Sequence, residues 1–153
     1  IAEGLDAFVP ERHRGETVAL VDGVSFVDNS KATNPHATLA SIGEATGVVL
    51  IAGGDAKGVD LAPIASLAPR LAMVVALGTS ASEVVALFRG RVPARVVGSI
   101  EEAVAVAFEA ATPGGVVLLA PACASWDMFR DYAERGDRFA AAARSLHKED
   151  ART

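Results

Sequence analysis

Three short polar segments of this 153-residue chain carry the residue types that hold anions. The first is Asn29-Ser-Lys-Ala-Thr-Asn34, where Lys31 stands between a β-rich run and a helix start. Helix N-termini attract anions through free N–H groups and the helix dipole. On pattern alone Lys31 is either such a ligand or a solvated lysine beside an ordinary cap. The second is Gly53-Gly-Asp-Ala-Lys-Gly58. Glycines after a buried strand let backbone approach a ligand closely. Lys57 then offers a compact point charge for a carboxylate or phosphate. The third is Pro121-Ala-Cys-Ala-Ser-Trp-Asp127. Ser125 can cap a helix or donate to a ligand. Trp126, the one tryptophan, can be core or a ligand wall.

Other chemistries lack their residues. The Gly53–Gly58 loop is neither G-x-x-x-x-G-K-[ST] nor G-x-G-x-x-G, and no G-x-S-x-G occurs. Cys123 has no base beside it in sequence and reads as a packed thiol. His13, His36 and His147 are too scattered to form a metal site, so neither a metal ligand nor a catalytic side chain is assigned.

The elements that must position these segments follow from pattern. Thr17–Val21 and Val24–Val27 flank Asp22-Gly23, a strong signal for a hairpin closed by a type I′ turn. Continuous apolar runs follow at Val48–Ala52, Met73–Leu77, Arg95–Val97 and Val116–Ala120, as expected of strands covered on both faces. Between them lie helical segments: one opened by Asn34-Pro35, one over Ser80–Phe88, and one opened by the capping box Ser99-Ile-Glu-Glu102. Helical periodicity from Asp127 to Leu146 predicts a last helix, with a break at Gly136. The expected fold is α/β: a Rossmann-like, mostly parallel sheet with helices on both faces and an N-terminal β-hairpin adding one antiparallel strand. In such sheets ligands sit at the strands' carboxyl ends. All three polar segments leave such ends, so they are expected to line one rim.

Length and composition set the frame. Residues 1–153 are read as a single domain. Hydrophobic residues make up 51% and charged residues 22%. The first ten residues read as a lead-in. A net charge of −5 without a basic run gives nucleic acid no electrostatic footprint. No apolar run is long enough for membrane insertion, and one cysteine suits a reducing compartment, so a cytoplasmic location is expected. The chain opens on Ile1 rather than Met and is expected to be part of a longer polypeptide.

Together these residues resemble the C-terminal domain of the Mur ligase family, in its D-glutamate-adding branch. The resemblance rests on Val27-Asp-Asn-Ser-Lys-Ala-Thr-Asn34, Gly53-Gly-Asp-Ala-Lys-Gly58, Ser125-x-Asp127-x-Phe129, Arg135-Gly136 with Phe139, and His13-Arg14-x-Glu16. It covers about residues 10 to 146. It implies a three-domain, ATP-dependent amide-bond-forming ligase of peptidoglycan precursor synthesis. The missing N-terminal and central domains of the same protein would hold UDP-N-acetylmuramoyl-L-alanine, ATP and most of the Mg2+ contacts, and an acyl-phosphate would be attacked by the D-glutamate amine. It further implies that Thr33, Lys57, Ser125, Trp126 and Tyr132 bind D-glutamate, while Arg14, Asn29 and Lys31 reach the nucleotide. Asp55 would order the Lys57 loop. Trp126 departs from the smaller apolar residue usual there, and Asn29 from the usual Asp. The competing expectation is a free-standing Rossmann-like module that binds a small anion or nucleotide without catalysis.

Overall fold

The computed structural model describes residues 11–152, with side chains as far as Leu146; the lead-in 1–10 and the side chain of His147 lie outside the described residues. Strands β1 (Glu16–Val21) and β2 (Val24–Asp28) form the antiparallel hairpin. Asp22 and Gly23 both have positive φ, 48° and 80°, as a type I′ turn demands. Then follow α1 (Pro35–Ile42), β3 (Val48–Gly53), a 3₁₀ helix (Ala62–Arg70), β4 (Leu71–Leu77) and α2 (Ala81–Phe88). Strand β5 (Ala94–Val96), α3 (Ile100–Ala110), β6 (Val116–Leu119) and α4 (Tyr132–Arg152) complete the order. The sequence pattern misses the 3₁₀ helix, whose Pro63 and Pro69 break helical periodicity.

The six strands run β1-β2-β6-β3-β4-β5, and every pairing except β1–β2 is parallel. The chain lays β6 between β2 and β3 only after building the far side of the sheet. That late insertion makes the carboxyl ends of β2, β6 and β3 neighbours, so the three polar segments meet.

Both faces of the sheet are covered, which is why the strands read as unbroken apolar runs. Val48, Leu50 and Ala52 of β3 point to one core with Ile42, Ile64, Leu67, Val84 and Phe88. Val49 and Ile51 point to the other, with Ile100, Val104, Ala107, Phe139 and Ala143. Asn34 caps α1, accepting from Ala37 N at 2.9 Å, with Pro35 in the first turn. Ser99 caps α3, accepting from Glu102 N at 3.0 Å. Glu102 reaches back to Gly98 N, one residue earlier than a strict capping box.

The last helix corrects two expectations. Residues 127–131 are turns, and the helix starts at Tyr132 because Asp131 caps it, accepting from Glu134 N at 2.8 Å. Asp131-x-x-Glu134 is itself a capping signature. The helix does not break at Gly136. The glycine is there for close approach: a Cβ would collide with His13 Nδ1 and lie 2.6 Å from Asp28 Oδ2. Helix propensity loses only about 1 kcal/mol to glycine, and packing outweighs it.

Gly136→Ala should therefore destabilise the fold, although it raises helix propensity. The expected loss is roughly 1–3 kcal/mol, as for overpacking in a tight core. Chemical denaturation of the two proteins measures it. Equal or greater stability of the alanine variant would refute the close-approach account.

Candidate functional site

The three loops after β2, β3 and β6 are sewn together by their backbones. Asn29 N donates to Leu119 O at 2.9 Å, Gly53 N to Pro121 O at 2.9 Å, and Ala122 N to Ala32 O at 2.9 Å. Asp55 and Ala124 exchange both backbone bonds at 2.9 Å, an isolated bridge between two loops. Gly54, at φ 135°, permits this: a Cβ there would run into Ala124 O.

Arg135 locks the same rim from beneath. Only 2% exposed, it donates to Ser30 O at 2.8 Å, Ser30 Oγ at 2.9 Å and Cys123 O at 3.1 Å. Burial pulls its pKa down to about 10, so it remains charged at neutral pH. Beside it, Asp28 Oδ2 lies 2.6 Å from His13 Nδ1, and Asp28 Oδ1 accepts from Ser30 N at 2.9 Å. The expected role of Asp55 is also visible: its Oδ1 accepts from Lys57 N at 2.9 Å and holds that residue at φ 53°.

Two cavities open on this rim. One, of about 320 Å³, is lined by Thr33, Lys57, Ala124, Ser125, Trp126, Asp131 and Tyr132. All five residues expected around D-glutamate line it. Ser125 is buried, whereas Trp126 is 65% exposed. Lys57 Nζ stands 3.5 Å from the centroid of the Trp126 ring. Ser125 does not start a helix: its carbonyl accepts from Met128 N and Phe129 N, closing a tight turn ahead of α4. That turn is what leaves Trp126 facing outward.

The second cavity, about 350 Å³, is lined by Arg14, Asn29, Lys31, Ala32, Ala37, Ala40 and Ser41. All three residues expected to reach the nucleotide lie here. Asn29 Nδ2 donates to Ser41 Oγ on α1. Lys31 Nζ pairs with Glu11 Oε1 at 2.6 Å, and Arg14 Nε lies 3.6 Å from Glu11 Oε2. The hydrogen bond and attraction between Glu11 and Lys31 lower the pKa of the acid and raise that of the lysine. Sequence reasoning missed Glu11, since nothing in its neighbours marks it. It missed Asp131 by starting the last helix too early.

The residues suit phosphate better than magnesium. The second cavity offers cations and amide or hydroxyl groups but no lining carboxylate, whereas Mg2+ needs hard oxygen ligands. Among the described residues one grouping, His13, Glu16 and Asp28, brings ligand atoms within 4.8 Å of one another. Two of these are already spent: His13 Nδ1 and Asp28 are bonded to each other, and Asp28 also holds Ser30 N. The trio does not fit a magnesium site. Cys123 is buried, and burial lifts its thiol to about 11.

Comparison with known proteins agrees with this architecture. The chain is 48% identical over 149 residues to UDP-N-acetylmuramoylalanine--D-glutamate ligase of Frankia casuarinae, covering 95% of this chain and 32% of that protein. It is 46% identical over 155 residues to the enzyme of the same name from Streptomyces coelicolor, covering 95% and 33%. The chain thus spans about a third of the length of these curated relatives. In solved structures the fold recurs in the MurC UDP-N-acetylmuramate-alanine ligase of Thermotoga maritima, with TM-score 0.62, 16% identity, and coverage of 94% of this chain and 33% of that one. It recurs again in a domain from a putative UDP-N-acetylmuramate:L-alanyl-gamma-D-glutamyl-medo-diaminopimelate ligase of Haemophilus ducreyi, with TM-score 0.55, 16% identity and coverage of 85% and 99%. Residues 13–123 match the family described as "Mur ligase, glutamate ligase domain", and the chain belongs to that family.

Proposed function

We propose that this chain is the D-glutamate-binding domain of an ATP-dependent ligase that adds D-glutamate to UDP-N-acetylmuramoyl-L-alanine in the cytoplasm. The observation that carries the reading is the 320 Å³ cavity: one wall is the Lys57 ammonium, which makes no ion pair among the described residues, and Ser125, Thr33 and Tyr132 surround it. D-Glutamate carries two carboxylates and an ammonium at neutral pH. A site for it needs a cation and hydroxyl donors, and charge-assisted bonds to carboxylate are the strong ones. Asp131, which also lines the cavity, supplies an opposite charge that suits the ammonium.

Arg14, Lys31 and Asn29 then face the nucleotide across the gap to the rest of the ligase. Two cations beside a phosphate tail stabilise charge as it moves. ATP, when bound, supplies the phosphoryl group that activates the muramoyl-alanine carboxyl. This chain's part is to deliver the amine to that carboxyl in a place from which water is excluded. The sequence similarity to D-glutamate ligases and the match to the glutamate ligase domain support this assignment. No described helix is long and apolar enough to cross a membrane.

In the full-length ligase, Lys57→Ala should raise the Michaelis constant for D-glutamate about 10- to 150-fold, the worth of a charge-assisted contact of roughly 1.5–3 kcal/mol. The Michaelis constant for ATP should stay nearly constant. Steady-state kinetics with each substrate varied in turn checks this, and an unchanged D-glutamate constant would sink the assignment.

Cys123 should be a bystander, because amide formation through an acyl-phosphate uses no thiol and its thiolate is strongly disfavoured by burial. Cys123→Ala is expected to keep turnover within a few-fold of the parent. Iodoacetamide at pH 8 should label the thiol only after denaturation. Rapid labelling of the native protein, or a thousand-fold loss of turnover in a folded variant, would contradict this account.

A further inference from the structure

Lys57 differs from the other lysine on the rim in how its charge is held. Lys31 is neutralised by Glu11 at 2.6 Å and sits 5.6 Å from the Tyr132 ring centroid. Lys57 has no acid within 4.0 Å among the described residues, and instead its Nζ lies 3.5 Å from the Trp126 centroid. Tryptophan is the best aromatic partner for a cation, and 3.5 Å is well inside the working range. Meanwhile Trp126 is 65% exposed, so it contributes little to the core. A large exposed aromatic ring on a tight turn needs another reason to be there.

We infer that Trp126 is a positioning residue that holds the Lys57 ammonium at the cavity wall, ready for an incoming carboxylate. The inference rests on the reading of this cavity as the D-glutamate site. A free lysine spreads over many rotamers, and ordering it when substrate binds costs affinity. The backbone is already fixed: Lys57 sits at φ 53°, a conformation that persists in a non-glycine residue only where its surroundings hold it, here through Asp55. The ring fixes the far end of the same side chain. A carboxylate could do that too, but it would compete with the substrate for the charge. The ring covers one side of the ammonium with a quadrupole and leaves the formal charge uncompensated. The remaining N–H groups stay available to a carboxylate in the cavity.

The test uses the full-length ligase with four variants: Trp126→Leu, Trp126→Phe, Lys57→Ala, and the Leu and Ala changes combined. D-Glutamate is titrated at saturating ATP and UDP-N-acetylmuramoyl-L-alanine. Trp126→Leu should raise the Michaelis constant for D-glutamate about 2- to 5-fold, the size of an exposed cation–π contact, with turnover and the ATP constant nearly unchanged. Trp126→Phe should recover part of that loss, because a phenyl ring keeps a weaker version of the contact. In the Lys57→Ala background Trp126→Leu should add nothing. An equal penalty in both backgrounds would show that Trp126 touches the substrate directly and overturn the inference, as would no effect in either. If Lys57→Ala itself leaves the D-glutamate constant unchanged, the site assignment fails, which is a separate result.

Discussion

A guanidinium almost sealed from solvent is expensive, and Arg135 accepts that cost because two of the three rim loops share it as a donor. Its fork reaches Ser30 Oγ, Ser30 O and Cys123 O, acceptors on the loops after β2 and β6. A lysine could not serve all three, since its donors radiate from a point instead of lying in a rigid plane. Ala122 N to Ala32 O ties the same two loops, and the Asp55–Ala124 bridge adds the loop after β3. Thr33, Lys57 and Ser125 stand on these three loops, so their spacing is inherited from Arg135 and the backbone around it. The same helix turn sets Gly136 against His13 and Asp28, so the N-terminal end of α4 is packed from two directions at once.

Much of this is legible in the amino-acid sequence. The strands were readable because burial on both faces leaves no polar residue to interrupt them, as in Val48–Gly53, where every residue is buried. The hairpin was readable because only certain residues tolerate two successive positive φ values, and Asp22-Gly23 supplies them. The convergence of the polar segments followed from the rule that parallel strands present their carboxyl ends on one side. What was not legible depends on pairs distant in sequence. Gly136 reads as a helix breaker by propensity, and its true reason, the His13–Asp28 pair, lies over 100 residues away in the chain. The order of β6 between β2 and β3 has no local signature, since any of several insertions would bury the same residues. The start of α4 was legible in principle through Asp131 and Glu134, but the apolar periodicity that runs past them masks it.

The two cavities show how differently a fold can store positive charge. Glu11 and Arg14 are exposed, and Glu11 pairs with Lys31 in water where such contacts contribute little. In the proposed function a nucleotide phosphate arriving there exchanges one anionic partner for another. The exchange costs little, because an exposed pair gives up little when it opens, and phosphate offers more acceptor oxygens than the carboxylate it replaces.

In the proposed function Lys57 meets a different demand. A dicarboxylic amino acid is small, and each of its contacts counts for more than a single contact to a nucleotide. A lysine paired with an internal acid would have to break that pair at every binding event, and even the small cost of opening an exposed pair would be subtracted from the affinity of so small a ligand. Holding the ammonium by its backbone at one end and by an aromatic face at the other avoids the subtraction. Asp55 makes no ion pair with Lys57 and instead accepts its backbone N–H, so the acid closest in sequence orders the loop without quenching the side chain's charge. The cavity can therefore hold a cation in place and keep it available, which is the electrostatic condition that a site for a free amino acid with two carboxylates must meet.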